Sequence, residues 1–519
     1  MRVTIASRRS DLARIQAYQV ADALSATHPH IEINYSFHES LGDKNQSDPL
    51  WQMPEKGVFT QDFREGLLNG EFDLVVHSWK DLAIENDPET EVIATLPRAD
   101  ARDLLLVPRS RWSEAERTGV MTILTSSPRR AHNLDSFLRA VLPAKITELN
   151  FTNVRGNVPT RVRKLLQSDV DGLVVAKAAI DRLLAAPRSE LAATQKELRE
   201  ALSQCRWMVL PLRENPSAPA QGALAVEISR ERADIRELLG PLNCSDTFSA
   251  VLSEREILRS HGGGCHQKIG ASVLRRPFGE ITLLRGLTDS GELLDRCTLV
   301  PAKPRPPKIS REEMWPLDLS DADFFVREPR LDGDWSASVP LAMIASATSA
   351  SGTLALQSPP FGLWIAKADA LPDHWNIEGA QIVWASGVQT WKRLARRGVW
   401  VNGCAESLGE QESPRIETLA GAPVRWLKLT HESGYTDGEI EALATYRLVP
   451  KEATVDLSGK KYFFWTSGSS FEYALSQNSW LKDMTHFCGP GNTQRILERD
   501  GIEPHVFLDH AQWLKEMSE

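Results

Sequence analysis

A single thiol, Cys265, follows three glycines in Gly262-Gly263-Gly264-Cys265-His266-Gln267-Lys268-Ile269-Gly270-Ala271. Glycines leave the backbone almost unrestrained and let another molecule come close. Upstream, Glu254-Arg255-Glu256-Ile257-Leu258 reads as helix, so the cysteine belongs on a loop leaving a rigid element. No second cysteine lies near enough for a metal pair or a redox pair. What remains is an incidental thiol or a point of covalent attachment, and isolated cysteines are usually unreactive. A second candidate is Asp81, where the apolar run before His77-Ser78-Trp79-Lys80-Asp81-Leu82 meets charge. Among basic groups such a carboxylate stays ionised, and it can stabilise a cation or move a proton. A helix cap would account for Asp81 equally well.

Basic residues recur where elements begin or end. Arg8 and Arg9 follow the first strand, and Lys56-Gly57 precedes Phe59 in a loop. Ser126-Ser127-Pro128-Arg129-Arg130 joins a strand to a helix, and Arg155-Gly156-Asn157-Val158-Pro159-Thr160-Arg161 does so one unit later. Helix N-termini offer unpaired N–H groups, and arginine adds a bidentate fork for carboxylate or phosphate. Converging, these four places would hold a polyanion. Taken singly, each is an ordinary solvated cation.

The elements that must position these groups are α/β in type. Strand candidates are Val3–Ala6, Phe72–Val76, Gly172–Ala176 and Ala223–Glu227, and Ser10 can cap a helix that places Ala13, Ala17, Val20, Ala21 and Leu24 on one face. Strands separated by helices imply largely parallel or mixed sheets, whose ligands bind where strands end and helices begin. At 519 residues the chain has room for three to five domains. A net charge of −9 argues against nucleic acid or anionic membrane as a partner, so any anion is held by local arginines. Six scattered cysteines fit a reducing compartment, and neither a signal-peptide core nor a spanning apolar stretch is visible. A cytoplasmic, multidomain, soluble protein is therefore expected, without a metal-ligand cluster. Four prolines and three basic residues in 301–308 read as a linker. Beyond it, Ile382-Val383-Trp384-Ala385-Ser386-Gly387 and Tyr462-Phe463-Phe464-Trp465-Thr466-Ser467-Gly468 look alike, suggesting two similar α/β lobes.

Over residues 1 to about 300 these motifs, in order, resemble hydroxymethylbilane synthase (porphobilinogen deaminase). The segments are Ser7-Arg8-Arg9-Ser10-Asp11-Leu12-Ala13, Glu55-Lys56-Gly57-Val58-Phe59, His77 to Asp81, Thr125 to Arg130, Arg155 to Arg161, Gln221 to Leu224 and the Cys265 loop. The resemblance implies two periplasmic-binding-protein-like α/β lobes plus a small α+β cofactor-carrying domain. The expected boundaries are 1–98 with 188–218, 99–187, and 219–300. It also implies a dipyrromethane cofactor on a thioether to Cys265, and a substrate, porphobilinogen, condensed four times to hydroxymethylbilane with loss of ammonia. Asp81 and Lys80 would be catalytic. Arg129, Arg130, Ser127 and Lys56 would hold the cofactor, and Arg8, Gln16, Arg155, Arg161 and Arg182 the substrate. The expected form is a monomer. Trp79, Leu82-Ala83, Pro128, Lys268 and Ser217-Ala218-Pro219-Ala220 depart from the family pattern without removing a charged catalytic group.

From about 319, after a linker at 301–318, the chain is similar to uroporphyrinogen-III synthase, a two-lobed α/β enzyme. The similarity lies in Ala444-Thr445-Tyr446-Arg447 before Val449-Pro450, in Trp465-Thr466-Ser467-Gly468-Ser469, and in Cys488-Gly489-Pro490-Gly491-Asn492-Thr493. It implies ring closure of the bilane with ring D inverted, with Tyr446, Thr466, Ser467, Ser469 and Thr493 as candidates. These residues equally suit strands, turns and caps. Two alternatives stand: a non-catalytic docking domain for the second half, and a two-lobed small-anion-binding protein for the whole chain. Cys265 and Asp81 discriminate, because an anion receptor needs neither.

Overall fold

The apolar runs of the first half become the buried centres of two sheets that share one plan. In the computed structural model, which describes residues 1–39, 61–85, 87–263, 267–330, 360–373, 377, 382–434, 440–452 and 455–518, the chain forms two compact units. Met1–Arg139, Lys145–Arg275 and Ile281–Thr298 make up the first; Ala140–Ala144, Arg276–Glu280 and Leu299–Glu519 the second.

In the first unit, one sheet has the order Glu32–His38, Arg2–Arg8, Leu74–Ser78, Leu224–Ser229, Thr90–Ala94. Its first three strands are parallel, and Leu224–Ser229 runs antiparallel to both neighbours. Val3, Ile5, Leu74, Val76, Leu224, Val226 and Ile228 bury together against helix Asp11–Thr27 through Ala17, Val20, Ala21 and Leu24, the face expected from the sequence. Ser10 takes the N-cap position, but its hydroxyl makes no capping hydrogen bond. The second sheet repeats the plan as Glu148–Thr152, Val120–Leu124, Gly172–Ala176, Asp103–Pro108, Cys205–Leu210. Again the first three strands are parallel and Asp103–Pro108 is antiparallel to both neighbours. A third sheet, Gly270–Arg276, Gly279–Leu287 and Leu293–Pro301, follows helix Ser245–Ser260.

Two expected boundaries are corrected. Segment 188–218 does not return to the first sheet: Cys205–Leu210 pairs with Asp103–Pro108 in the second. The returning strand is Leu224–Ser229, which lies within the expected third domain, 219–300. Its alternating Leu224, Val226 and Ile228 bury in one core with Leu74 and Val76. The return is tight. Gly222 has φ +87°, and a Cβ there would lie 2.6 Å from the Ala99 carbonyl oxygen, so only glycine fits without strain.

The second unit has two sheets. Met314–Leu319, Tyr462–Trp465, Thr485–Cys488 and His505–Val506 form a parallel one. The other has the order Phe325–Pro329, Glu441–Pro450, Arg425–His431, Phe361–Ile365, Ile382–Ala385, Gly403–Cys404, antiparallel only at its first pair. The expected linker is shorter than 301–318, because Ile309 is buried and bridges to Ser518 and Met314–Leu319 is a strand. Both look-alike segments are a strand followed by a helix, Val388–Ala395 and Gly468–Gln477, one in each sheet's lobe. Their tryptophans, Trp384 and Trp465, are fully buried. Among the described residues no helix is long and apolar enough to cross a membrane.

Candidate functional site

Arg8, Lys80 and Asp81 stand at or just beyond the C-terminal ends of parallel strands. Arg8 ends Arg2–Arg8, and Ser78 ends Leu74–Ser78 just before a three-residue 3₁₀ turn, Trp79–Asp81. Trp79 fills the apolar side of that turn, 2% exposed and 5.1 Å from the Phe248 ring. Asp81 is left exposed at the turn's end and caps no helix. Arg8, Ser10, Gln16, His77, Ser78 and Asp81 line a cavity of about 70 Å³. Gln16 is buried and its amide donates to Ser78 Oγ at 2.8 Å, which fixes one wall.

Arg129 and Arg130 lie in the first turn of helix Pro128–Val141, where the positive end of the helix dipole disfavours cations. The compensating group is Asp103, which sequence reasoning missed. Its fully buried carboxylate accepts from Arg129 Nη2 at 2.8 Å and Arg130 Nη2 at 2.7 Å. It also accepts from Asn215 Nδ2 and Gln221 Nε2, both at 2.9 Å. Burial alone would raise its pKa, but Arg130 and Arg129 outweigh this and hold it far below the usual carboxylate range. Arg129 also donates to Asn215 Oδ1 at 2.9 Å and Pro216 O at 2.6 Å, and Arg130 to Val174 O at 3.3 Å. The Nε–H groups of both arginines are buried without a partner among the described residues.

Lys80 donates to Gln221 Oε1 at 3.4 Å, so Gln221 joins it to the Asp103 hub. Burial lowers the Lys80 pKa against the opposing pull of Asp81, with Arg130 and Arg129 adding to the fall. Arg161, in the first turn of helix Val158–Gln167, which follows strand Glu148–Thr152, donates to Gly156 O at 2.8 Å. Its pKa is pushed down to about 10 by burial, with Arg130 and Arg155 acting the same way and Asp81 against. The helix-158 turn and Asp81 therefore share one electrostatic environment. Ser127 serves its helix, accepting from the Arg130 amide at 3.4 Å. Arg182 is 9% exposed, donates to Gly222 O at 2.8 Å, and is pushed down to about 10 by burial, with Asp181 opposing. It braces the returning chain.

Lys56 and Cys265 lie outside the described residues. The flanks of the cysteine loop are placed. Gly263 N–H donates to Leu258 O at 3.0 Å, and Gln267 Nε2 to His261 O at 2.7 Å. Arg255, on helix Ser245–Ser260, donates to the Leu82 and Ala83 carbonyls, and Ile84 packs with Leu258 and Ile269. Both ends of the loop thus lie against the segment that follows Asp81. Elsewhere, Cys205, Cys404 and Cys488 are buried. Burial pushes the Cys205 thiol up to about 12 and raises that of Cys488 as well, so neither is a ready nucleophile.

In the second unit Tyr446, Ser467 and Ser469 come together, and Thr466 and Thr493 do not join them. Ser467 and Ser470 donate to Asp321 Oδ1, whose carboxylate also pairs with Lys367. Ser469 Oγ lies 3.1 Å from His431 Nε2, and the His431 and Tyr446 rings are 5.8 Å apart. Burial pushes Tyr446 up to about 12, with Arg327 opposing. It pushes His431 down to about 4 against the pull of Asp321, with Lys367, Lys428 and Arg327 adding. Thr466 Oγ1 instead donates to Leu319 O at 3.1 Å, and Thr493 stands in the first turn of helix Asn492–Arg499.

Comparison with known proteins finds a match of residues 3–237 to the family described as porphobilinogen deaminase, dipyromethane cofactor binding domain. The porphobilinogen deaminase of Desulfitobacterium hafniense is 37% identical over 269 residues, 52% of this chain and 79% of that protein. Those of Syntrophomonas wolfei and Clostridium novyi are 34% and 30% identical, over 55% and 57% of this chain and 84% and 91% of theirs.

Proposed function

Because the chain belongs to the porphobilinogen deaminase family, we propose that its first unit joins four porphobilinogen molecules head to tail into hydroxymethylbilane, with dipyrromethane held as a thioether on Cys265. Each condensation releases one ammonia, and water completes the last release. The observation that carries this reading is the exposed Asp81 on the rim of a cavity shared with Arg8 and Gln16, beside two buried arginines with unmet donors.

Dipyrromethane, the cofactor of this family, bears carboxylate side chains, and the Nε–H groups of Arg129 and Arg130, without a partner among the described residues, are compatible with acceptors of that kind. The residues present fit the group. When bound, it supplies the pyrrole carbon onto which the first substrate unit is joined. Asp81 stabilises the positive charge left on the substrate's methylene carbon as ammonia departs, and accepts the pyrrole proton released after the carbon–carbon bond forms. Arg8, Arg155 and Arg161 pair with the acetate and propionate groups of the substrate. Lys80 adds positive charge behind Asp81.

For the second unit the proposed reaction is ring closure with ring D inverted, giving uroporphyrinogen III. Support comes from the convergence of Tyr446, Ser467 and Ser469, hydroxyl groups able to hold a flexible polar substrate in one conformation. A second site on one chain also raises capture of a short-lived bilane through effective concentration.

One experiment tests both halves. Purified full-length protein and Cys265→Ala are weighed intact, then supplied with porphobilinogen, and the cyclic products are separated by isomer. Expected are an added mass of two linked pyrroles on the wild type, its loss in Cys265→Ala, and predominance of the type III isomer. A wild type that stays unmodified in the presence of porphobilinogen overturns the deaminase reading. Type I product alone reduces the second unit to a docking domain.

A further inference from the structure

We infer that Asp103 is the positioning residue of the deaminase site: it sets the Arg129–Arg130 pair for an anion and, through Gln221, ties that pair to Lys80 beside Asp81. This rests on the reading that the two arginines hold the cofactor's carboxylates. A carboxylate offers about four lone-pair positions, and Asp103 fills them with Arg129, Arg130, Asn215 and Gln221, all at 2.7–2.9 Å. With its side chain fully buried, it has no capacity left for a ligand and acts only through the groups it holds.

What it holds is specific. Two guanidinium groups beside one carboxylate leave one net positive charge, and each guanidinium is clamped through Nη2 while its Nε–H stays unmet. Bonds from Arg129 to Asn215 and Pro216, and from Arg130 to Val174, prevent rotation about that clamp. The donors are therefore oriented before any anion arrives, which lowers the cost of binding it. Gln221 donates to Asp103 and accepts from Lys80, and its Nε2 also donates to Ala101 O at 2.7 Å. Movement of Asp103 would thus reach Lys80 through a single side chain.

The test uses the full-length holoenzyme and Asp103→Asn, which keeps the shape and removes the charge. Fold is checked by circular dichroism and melting. The readouts are the fraction of protein carrying the added mass, the rate at which cofactor-free protein acquires that mass from porphobilinogen, and kcat and KM separately. Expected are slowed, incomplete loading and a kcat lowered roughly 10²-fold with KM changed less, because misplacement of groups that are not themselves reacting can cost that much. Asp103→Glu, which restores the charge one methylene away, should recover loading but not full kcat. Should the Asn variant fail to fold, the Glu variant decides, and wild-type kinetics in it overturn the inference. Wild-type loading and kinetics in a folded Asp103→Asn, with only a lower melting temperature, likewise reduce Asp103 to a structural ion. A wild-type protein that never carries the added mass sinks the functional reading itself, and this inference with it.

Discussion

Asp81 ends a short turn whose other side is anchored by buried Trp79, so its carboxylate is presented to solvent by a rigid support. Its exposure separates function from folding. Asp81→Asn should lower kcat about 10²–10³-fold, as loss of a group that stabilises developing charge does, while the melting temperature stays at the wild-type value. Steady-state kinetics beside a thermal scan checks this, and equal losses in both would assign Asp81 to the fold. Arg8 and Asp81 were legible as motif residues and Gln16 as a contact the resemblance implies, and the cavity brings the three together. Asp103 was not, because an aspartate opening the apolar run Asp103-Leu104-Leu105-Leu106-Val107 reads as a strand-edge polar residue. An available signal was the pair of arginines at a helix N-terminus, which calls for a buried anion. Arg182, which the resemblance assigns to substrate, is buried and donates to Gly222 O, a contact with the returning chain that the sequence did not show.

Helix Ser245–Ser260 carries the element-scale burden, because it connects the Asp81 segment to the cysteine loop. Its Glu254 has a side chain with no exposure and receives Arg98 through two bonds of 2.6 and 2.8 Å. The same carboxylate accepts the Ala220 and Val273 amides, both at 2.8 Å, so one side chain joins the returning chain to the third sheet. Glu254→Ala would strand a mostly buried arginine and two backbone donors, a loss of about 3–5 kcal/mol. Urea unfolding should show it, and a change under about 1 kcal/mol would mean water replaces the carboxylate. Pro128, a departure from the family pattern, fits its position: the first residue of a helix needs no bonded N–H and tolerates the fixed φ of proline. Periodicity and turn residues revealed most of these elements. They could not assign Leu224–Ser229 to a sheet, since an alternating strand is equally apolar beside any core.

For the whole molecule, depressed carboxylates and buried neutral histidines both tie stability to pH. In the first unit, the depressed carboxylates Asp100, Asp103 and Glu227 contribute stability that is present above about pH 4 and lost as pH falls through their lower folded values. In the second unit, His431 is held down to about 4 against an unfolded value near 6.5. It stays neutral in the fold while the unfolded chain takes up a proton, so stability is complete above about pH 6.5 and declines toward pH 4. Buried His486 shifts the same way, as do His505 and His510. Melting curves of the full chain from pH 8 to 4.5 should show this decline, and His431→Gln should make its slope shallower without abolishing it. An unchanged slope would exclude His431 as a contributor. By itself, the sequence determined the mixed α/β class and the ordered motifs of the first 300 residues, because those depend on residue type and near-neighbour spacing. Tertiary structure alone decided which sheet takes the returning strand, which arginines are spent on Asp103 or Gly222, and which hydroxyls meet around Asp321 and His431. Those outcomes depend on burial and on partners distant in sequence, such as Asp103 with Gln221 or Ser467 with Asp321, and local pattern carries no record of either.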